Sequence, residues 1–139
     1  MTLVVDHAAC AGTSREMFKS VLDDASRGIF QGKIIVRHGA QKTDARMMSR
    51  ALLLSDEAES VNKPELEIFA DDVQCGHGAT SGALDDNLKF YLMARGILER
   101  QAEALLIQSF VAEAIEEVGH EGVRDALIEA TRAWLAARP

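Results

Sequence analysis

The sequence predicts a protein of the β plus α class, in which strands and helices occupy separate parts of the chain. Residues 1–82 contain several short runs rich in β-branched and aromatic residues, each broken by a turn, which is typical of strands. After Gly82 the apolar residues recur with helical spacing instead. Because the two kinds of element follow one another and do not alternate, we predict a β portion, 1–82, and a C-terminal helical domain, 83–139.

The first strands of the β portion are predicted from short apolar runs. Residues 3–5 form one run and residues 17–22 a second, with turn material between them. Residues 28–37 form a longer run, in which Gly32 indicates a bend or a bulge. We therefore expect three strands before the polar link that follows His38.

The rest of the β portion is less regular. Residues 47–54 fit a helix or a strand equally well, residues 62–64 indicate a turn that ends in Pro64, and residues 65–70 alternate as a strand. Short strands without Asn-Gly hairpin turns suit two architectures. One is a sandwich or barrel, and the other is a β-helix, in which each strand stacks on its equivalent in the next turn. No repeat period decides between them.

Three helices are predicted in the C-terminal part. Asp85 or Asp86 can cap the first helix, and Gly96 stands where a helix-ending glycine belongs. A second helix starts near Leu98 and is stopped by residues 119–122, and a third follows. Each long helix carries an apolar stripe. We expect the stripe of the second helix to be intramolecular core, with a partner groove as the secondary alternative, and Trp134 to pack as a core or clasp residue without a chemical role. The stripes are Ala102, Leu105, Phe110, Ala114 and Val118, then Val123, Leu127, Ala130 and Trp134.

Composition excludes several classes of protein. The chain has 139 residues, of which 47% are apolar, so it can build a core. A net charge of -7 argues against nucleic acid as a partner, and no apolar run is long enough for a membrane span. Two distant cysteines do not form a disulfide framework, and the start lacks the features of a signal peptide. These features predict a cytoplasmic protein with reduced thiols.

The candidate site is the stretch 71–80, which we expect to be a loop of small residues. It combines Asp71, Asp72, Cys75 and His77, and glycines flank the histidine on both sides. A tight turn with a solvated histidine is the simplest interpretation. The alternative is a presented metal ligand, because thiolate and imidazole suit iron and iron–sulfur clusters. In that case Asp71 and Asp72 would orient the imidazole as hydrogen-bond acceptors.

Other chemistries have weaker support. A zinc site built from His7, Cys10, Cys75 and His77 would require two loops to meet, and the spacing matches no zinc-finger signature. We expect Cys10 to be a small buried apolar residue. A hydrolase triad of Ser81, His77 and Asp71 rests on residue identity alone, and no Gly-x-Ser-x-Gly elbow or phosphate-binding loop is present.

Eight short motifs follow one another along the chain. They are FQGKI at 30–34, AQKTDA at 40–45, LLLSD at 52–56, KPELEI at 63–68, ADDV at 70–73, CGHGAT at 75–80, FYL at 90–92 and RGI at 95–97. In this order they resemble the SufB/SufD scaffold family of iron–sulfur cluster assembly. Within that family the chain resembles SufD-type members, because SufB-type chains tend to carry a glutamate where Gly78 follows His77. A family cysteine usually lies nearer Thr13, so Cys10 is displaced from it.

The resemblance implies a fold. Residues 1–82 would be the last turns of a right-handed parallel β-helix in a much longer native chain, and a three-helix lobe would follow. It also implies a non-catalytic scaffold subunit that pairs with a SufB-like subunit and docks a SufC-like ATPase. An iron–sulfur cluster would be held transiently and shared with SufB, and none is expected in the isolated chain.

The resemblance also assigns a site. His77 matches the SufD histidine that is placed beside a SufB cysteine at the subunit interface, and that cysteine has no counterpart here. Cys75 is the second candidate ligand. Two alternatives stay open: a homo-oligomeric β-helix module without a cluster role, and an isolated metalloenzyme. Because a β-helix cut at its N-terminal side exposes unpaired backbone groups and the apolar interior of a turn, we expect the isolated chain to form a homodimer.

Overall fold

The computed structural model describes residues 1–138, which contain six strands and three helices. All strands precede all helices, so the predicted β plus α class is confirmed. The strands are β1 Thr2–His7, β2 Thr13–Leu22, β3 Arg27–Val36, β4 Asp44–Leu53, β5 Glu59–Ile68 and β6 Gln74–Ala83. The helices are α1 Asp86–Met93, α2 Glu99–Glu116 and α3 Glu121–Ala137. Contacts divide the chain into two compact units, residues 1–81 (the β unit) and residues 82–139 (the helical unit).

The strands of the β unit alternate between two parallel sheets. One sheet has the order β1-β3-β5 and the other the order β2-β4-β6. Pairing is continuous and parallel, with Thr2 opposite Gln31, Thr13 opposite Asp44, and Arg27 opposite Glu59. Each strand therefore pairs with the second strand after it, about 30 residues further along the chain. This pattern repeats a two-strand unit along the sequence.

Three local predictions in the β unit need correction or completion. Residues 47–53 belong to strand β4, which settles the ambiguity between helix and strand. The turn predicted at 62–64 is wrong, because β5 runs straight through Pro64. Proline lacks a backbone N–H and is tolerated at the edge of a sheet, and β5 is an edge strand of its sheet.

The bend or bulge predicted at Gly32 is also wrong. Leu3, Gly32 and Pro64 stand opposite one another in an uninterrupted ladder. The glycine has a packing reason instead, since a Cβ at this position would collide with Met47 Sδ and lie 2.7 Å from Phe30 Cζ. The missing side chain thus makes room for two neighbouring side chains.

The core of the β unit consists of alternating residues on the two central strands. Phe30, Ile34 and Val36 of β3 are buried, as are Ala45 and Met47 of β4. Because successive side chains of a strand point to opposite faces, even positions of β3 and odd positions of β4 face inward. Ala40 and Ala70, in loops, complete the cluster.

The ends of α1 agree with the predicted signals. Asp85 is the N-cap, and its carboxylate accepts hydrogen bonds from the amides of Asn87 and Leu88. Gly96 has φ +85°. The amides of Gly96 and Ile97 bond to the carbonyls of Met93 and Leu92, which closes the helix in the manner of a Schellman motif.

The apolar stripe predicted for α2 is confirmed in part, because Ala102 is buried and Phe110, Ala114 and Val118 are half-buried. In α2 the buried residues are Ala102, Ile107 and Ile115, whereas Leu105 is exposed. Apolar residues occur on every side of α2, so sequence spacing alone selects no single face. Among the described residues, no helix combines the length and the hydropathy required to span a membrane.

The stripe predicted for α3 is exposed along its whole length. Val123, Leu127 and Trp134 are exposed, and Trp134 is not a core residue. The half-buried positions of α3 are Arg124, Ile128, Thr131 and Leu135, which form one helical face offset from the predicted stripe. His120 caps α3 by accepting a hydrogen bond from the amide of Val123 at 3.3 Å.

Candidate functional site

The stretch around His77 is a strand and not the predicted loop. Residues 74–83 form β6, which lies beside β4 at the edge of its sheet. Gly76 and Gly78 could adopt positive φ angles, but among the described glycines only Gly96 does. The two glycines next to His77 are therefore extended, and the turn that precedes β6 is confined to residues 69–73.

The register of β6 follows from its first hydrogen bond. The Gln74 amide at the start of β6 donates to the Thr43 carbonyl at 2.8 Å. In the same way, the Asp44 amide at the start of β4 donates to the Gly12 carbonyl at 2.9 Å. Since Asp44 stands opposite Thr13, Gln74 stands opposite Asp44 by the same geometry. His77 is then level with Met47.

A second observation supports this register. A Cβ at Gly78 would lie 2.8 Å from Met48 Cε, as expected if positions 48 and 78 are neighbours on one face of the sheet. Positions 47 and 77 are then neighbours on the opposite face, which is the inward face of β4.

Cys75 and His77 share that inward face. Cys75 is half-buried and packs against the core cluster, and the strand period of two places His77 on the same side. His77 is nevertheless exposed, because β6 ends the described sheet β2-β4-β6. The histidine thus extends an inward row of side chains but is not covered within the part of the chain that the structure describes.

The structure does not place Asp72 beside His77 as predicted. The Asp72 carboxylate is paired with Lys42 Nζ, and the Asp72 amide donates to Gln41 Oε1 at 3.0 Å. The hydrogen bond with Asp72 raises the pKa of Lys42 above its usual value. Asp72 lies in the loop before β6, whereas His77 lies within β6. Its role is to fasten the loop before β6 to the loop before β4.

The remaining candidates do not form a site. Cys10 is exposed, and the prediction that it is buried is wrong because it lies in the turn between β1 and β2. The His7 ring bonds to Ser14 Oγ at 3.0 Å through Nε2. Within residues 1–138, no group of three or more histidine, cysteine, aspartate or glutamate side chains is arranged to hold a metal ion.

The donor set can therefore contribute to a metal centre but not complete one. One imidazole and one half-buried thiol face the same way on β6. Iron–sulfur clusters are generally held by four protein ligands, mostly cysteine thiolates. A cluster at this place would need further ligands from another source.

Sequence reasoning missed Met47, the residue level with His77. Nothing in the stretch 47–54 distinguished strand from helix, so its inward positions could not be assigned. Gly32 was a visible signal in the sequence. It was interpreted as a bend of the backbone, whereas in the structure it leaves room for the Met47 side chain.

Comparison with known proteins gives a consistent result. Residues 1–110 match the family described as SUF system FeS cluster assembly, SufBD core domain. The chain belongs to the SufB/SufD family. The resemblance inferred from the sequence motifs is thereby confirmed. The match to the SufBD core domain ends within α2, so α3 lies beyond it.

Relatives of the SufB/SufD family cover most of this chain. The iron-sulfur cluster assembly protein SufD of Escherichia coli K12 is 43% identical over 83% of the chain. SufD of Bacillus subtilis 168 is 37% identical over 91%, and the chloroplastic protein ABCI7 of Arabidopsis thaliana is 39% identical over 88%. The matched regions are 27%, 29% and 26% of those relatives, so the chain spans little more than a quarter of their length.

Proposed function

We propose that this chain acts as a SufD-like scaffold in iron–sulfur cluster assembly, and not as an enzyme. Family membership supports the assignment, together with the relatives from Escherichia coli and Bacillus subtilis whose names state that they are iron-sulfur cluster assembly proteins. The cluster would be cargo, held transiently and shared with a SufB-like subunit. In keeping with the reduced thiols expected from sequence, we place the protein in the cytoplasm.

In this proposal the β portion, 1–82, belongs to a right-handed parallel β-helix, and residues 83–139 form its C-terminal helical domain. The support is the alternation of strands between two parallel sheets with a spacing of about 30 residues. Each two-strand unit would be one turn of the β-helix, stacked on the next.

The proposed site is His77, with Cys75 as a second ligand. The observation that carries it is the position of His77, which extends an inward row of side chains yet stays exposed on an edge strand. A neutral imidazole can ligate iron without a large cost of deprotonation. An edge strand also offers backbone groups to a partner, so a SufB-like subunit could supply the missing ligands at this edge.

The helical unit is proposed to dock a SufC-like ATPase. Among the described residues, nine of the fourteen exposed large apolar side chains lie in this unit, and exposed apolar patches mark interaction sites. These residues are Leu88, Phe90, Tyr91, Met93, Leu98, Leu105, Val123, Leu127 and Trp134.

Reconstitution tests the scaffold role. The chain, within its full-length protein, would be mixed anaerobically with iron and sulfide, with and without a SufB-like subunit, and followed by visible absorption. We expect cluster absorption that requires both subunits. Equal absorption from the SufB-like subunit alone would contradict a role of this chain in cluster formation. It would favour the alternative, a homo-oligomeric β-helix module without a cluster role.

Docking is tested separately by pull-down. Phe90→Ser and Leu98→Ser, both in strongly exposed apolar positions, should weaken capture of a SufC-like ATPase. Ile29→Ser is the matched control, because Ile29 is an exposed apolar residue of the β unit. Equal capture by all three variants would exclude this face of the helical unit.

Self-association remains a prediction of the same account. The edge strands β5 and β6 can pair with a second copy when a SufB-like partner is absent. Sedimentation at micromolar concentrations should therefore show a homodimer, and addition of the SufB-like subunit should dissociate it. A monomer whose mass does not depend on concentration would contradict this.

A further inference from the structure

The residue beside the candidate histidine is buried in the core and fills the space next to a glycine. Met47 is 2% exposed and belongs to the core cluster of the β unit. Its Sδ occupies the place that a side chain at position 32 would take, and the Phe30 ring occupies the rest of that place. The missing Cβ of Gly32 therefore determines where the Met47 thioether lies.

Met47 belongs to a row of residues that crosses all three strands of the sheet β2-β4-β6. Glu16 is opposite Met47 on β2, and the register set by Gln74 puts His77 opposite Met47 on β6. Directly opposite residues of adjacent strands lie within side-chain contact distance on one face. His77 has Met47 as its neighbour on the only strand that flanks β6 among the described residues.

We propose that Met47 positions the His77 imidazole, with Gly32 holding Met47 in place. An exposed histidine on an edge strand has free rotation unless a neighbour restricts it. A methionine sulfur makes favourable contacts with aromatic rings, and a fully buried methionine offers a fixed surface for such a contact. Met47 is thus a positioning residue, and His77 is the group that meets the cargo. This inference rests on the role proposed for His77, but the ring position can be measured without any cluster.

Adjacent residues of one strand supply a matched pair of variants. Met47→Ala removes the inward neighbour of His77, whereas Met48→Ala removes a methionine on the outward face that contacts Gly78, next to His77. Proton–carbon NMR of the imidazole rings reports the surroundings of each histidine, and the chain has only four. Loss of one signal in His77→Asn assigns His77.

We expect Met47→Ala to shift the His77 ring signal several times more than the signals of His38 and His120. Met48→Ala should leave the His77 signal in place. An unshifted His77 signal in Met47→Ala, or an equal shift in Met48→Ala, would overturn the proposal. If Met47→Ala does not fold, Met47→Val carries the same two outcomes, because valine shortens the side chain but suits a strand.

Measuring cluster formation with the SufB-like subunit tests the role of His77 in addition to the positioning role of Met47. A shifted ring together with a several-fold loss of cluster formation in Met47→Ala supports both the positioning role and the role of His77. A shifted ring with unchanged cluster formation would keep Met47 as the positioning residue and show that the ring position does not limit cluster formation, whereas the role of His77 itself is tested by His77→Ala.

Discussion

The two units of this chain use their apolar residues in opposite ways. The β unit buries its apolar side chains in continuous inward rows, and Ile34, Val36 and Met47 are almost completely enclosed. The helical unit buries only Ala102, Ile107 and Ile115 among its described residues, while Phe90 and Leu98 are about 70% exposed. The β unit can therefore stabilise itself by its own core, whereas the helical unit presents apolar surface suited to a partner.

This difference explains where each kind of site is proposed. A parallel ladder fixes the height and the face of every side chain, so the β unit can hold one histidine in a defined position at its edge. The helical unit offers a broad apolar surface without a defined polar group, which suits the docking of another protein.

The largest expected effect contrasts a buried residue with an exposed one. Ile34→Ala deletes a fully enclosed side chain of β3 and should lower the free energy of unfolding by about 2–5 kcal/mol. Phe90→Ala removes a larger but exposed side chain and should change it by less than about 0.5 kcal/mol. Urea unfolding of both variants measures the contrast. A Phe90 effect as large as that of Ile34 would show that the helical unit has a core that includes Phe90.

A smaller effect is expected at the start of α1. Asp85→Ala removes the acceptor of two backbone amides and should cost about 1 kcal/mol of stability. Asp85→Asn keeps a capping oxygen and serves as the control. Thermal unfolding followed by the helical signal in circular dichroism measures both. If the Asn variant loses as much as the Ala variant, the negative charge and not the cap stabilises the helix.

The smallest effect is expected from the ion pairs of the β unit and depends on pH. A hydrogen bond from Arg15 Nη2 to Asp44 Oδ2 at 2.5 Å holds the pKa of Asp44 below its ordinary value, and the nearby charges of Arg15 and Arg46 act in the same direction. A lowered pKa in the folded state stabilises the protein above the unfolded pKa of about 3.9, and this stabilisation is lost as the pH falls further.

Asp44→Asn should therefore be less stable than the wild type at pH 7, and the difference should shrink progressively as the pH falls below about 4. Asp56→Asn, in the exposed turn after β4, is the control. Chemical unfolding at several pH values tests this. A difference between Asp44→Asn and the wild type that persists in acid would point to packing and not to charge.

The sequence predicts the class of each unit better than its packing. Turn residues and helix caps act locally, so Asp85 and Gly96 could be assigned from the residues alone. The structure at Pro64 and Gly32 was predicted wrongly because it depends on neighbouring strands. Pro64 is tolerated within β5 because β5 is an edge strand, and Gly32 is required because the Met47 side chain fills the space beside it. The exposure of Trp134 could not be predicted, because a stripe on a helix does not reveal whether its partner lies in the same chain.

The candidate site shows the same limit. Residue types identified His77 and Cys75, but their shared face depends on β6 being a strand in register with β4. Two flanking glycines suggested a loop, whereas they lie within strand β6, which pairs with β4. Met47 was missed because the partner of an edge residue is fixed by register and not by sequence spacing.

The most direct test of the central claim is cluster formation by the complete complex with His77→Ala. Loss of a supporting residue at a metal site already costs 10- to 100-fold, so loss of a ligand should reduce cluster formation about tenfold or more. His38→Ala is the matched control, since His38 is another exposed histidine of the β unit, whose ring contacts the Phe69 carbonyl at 3.1 Å. Both variants should keep the circular dichroism of the wild type. Normal cluster formation by His77→Ala, or equal losses in both variants, would contradict the assignment of His77.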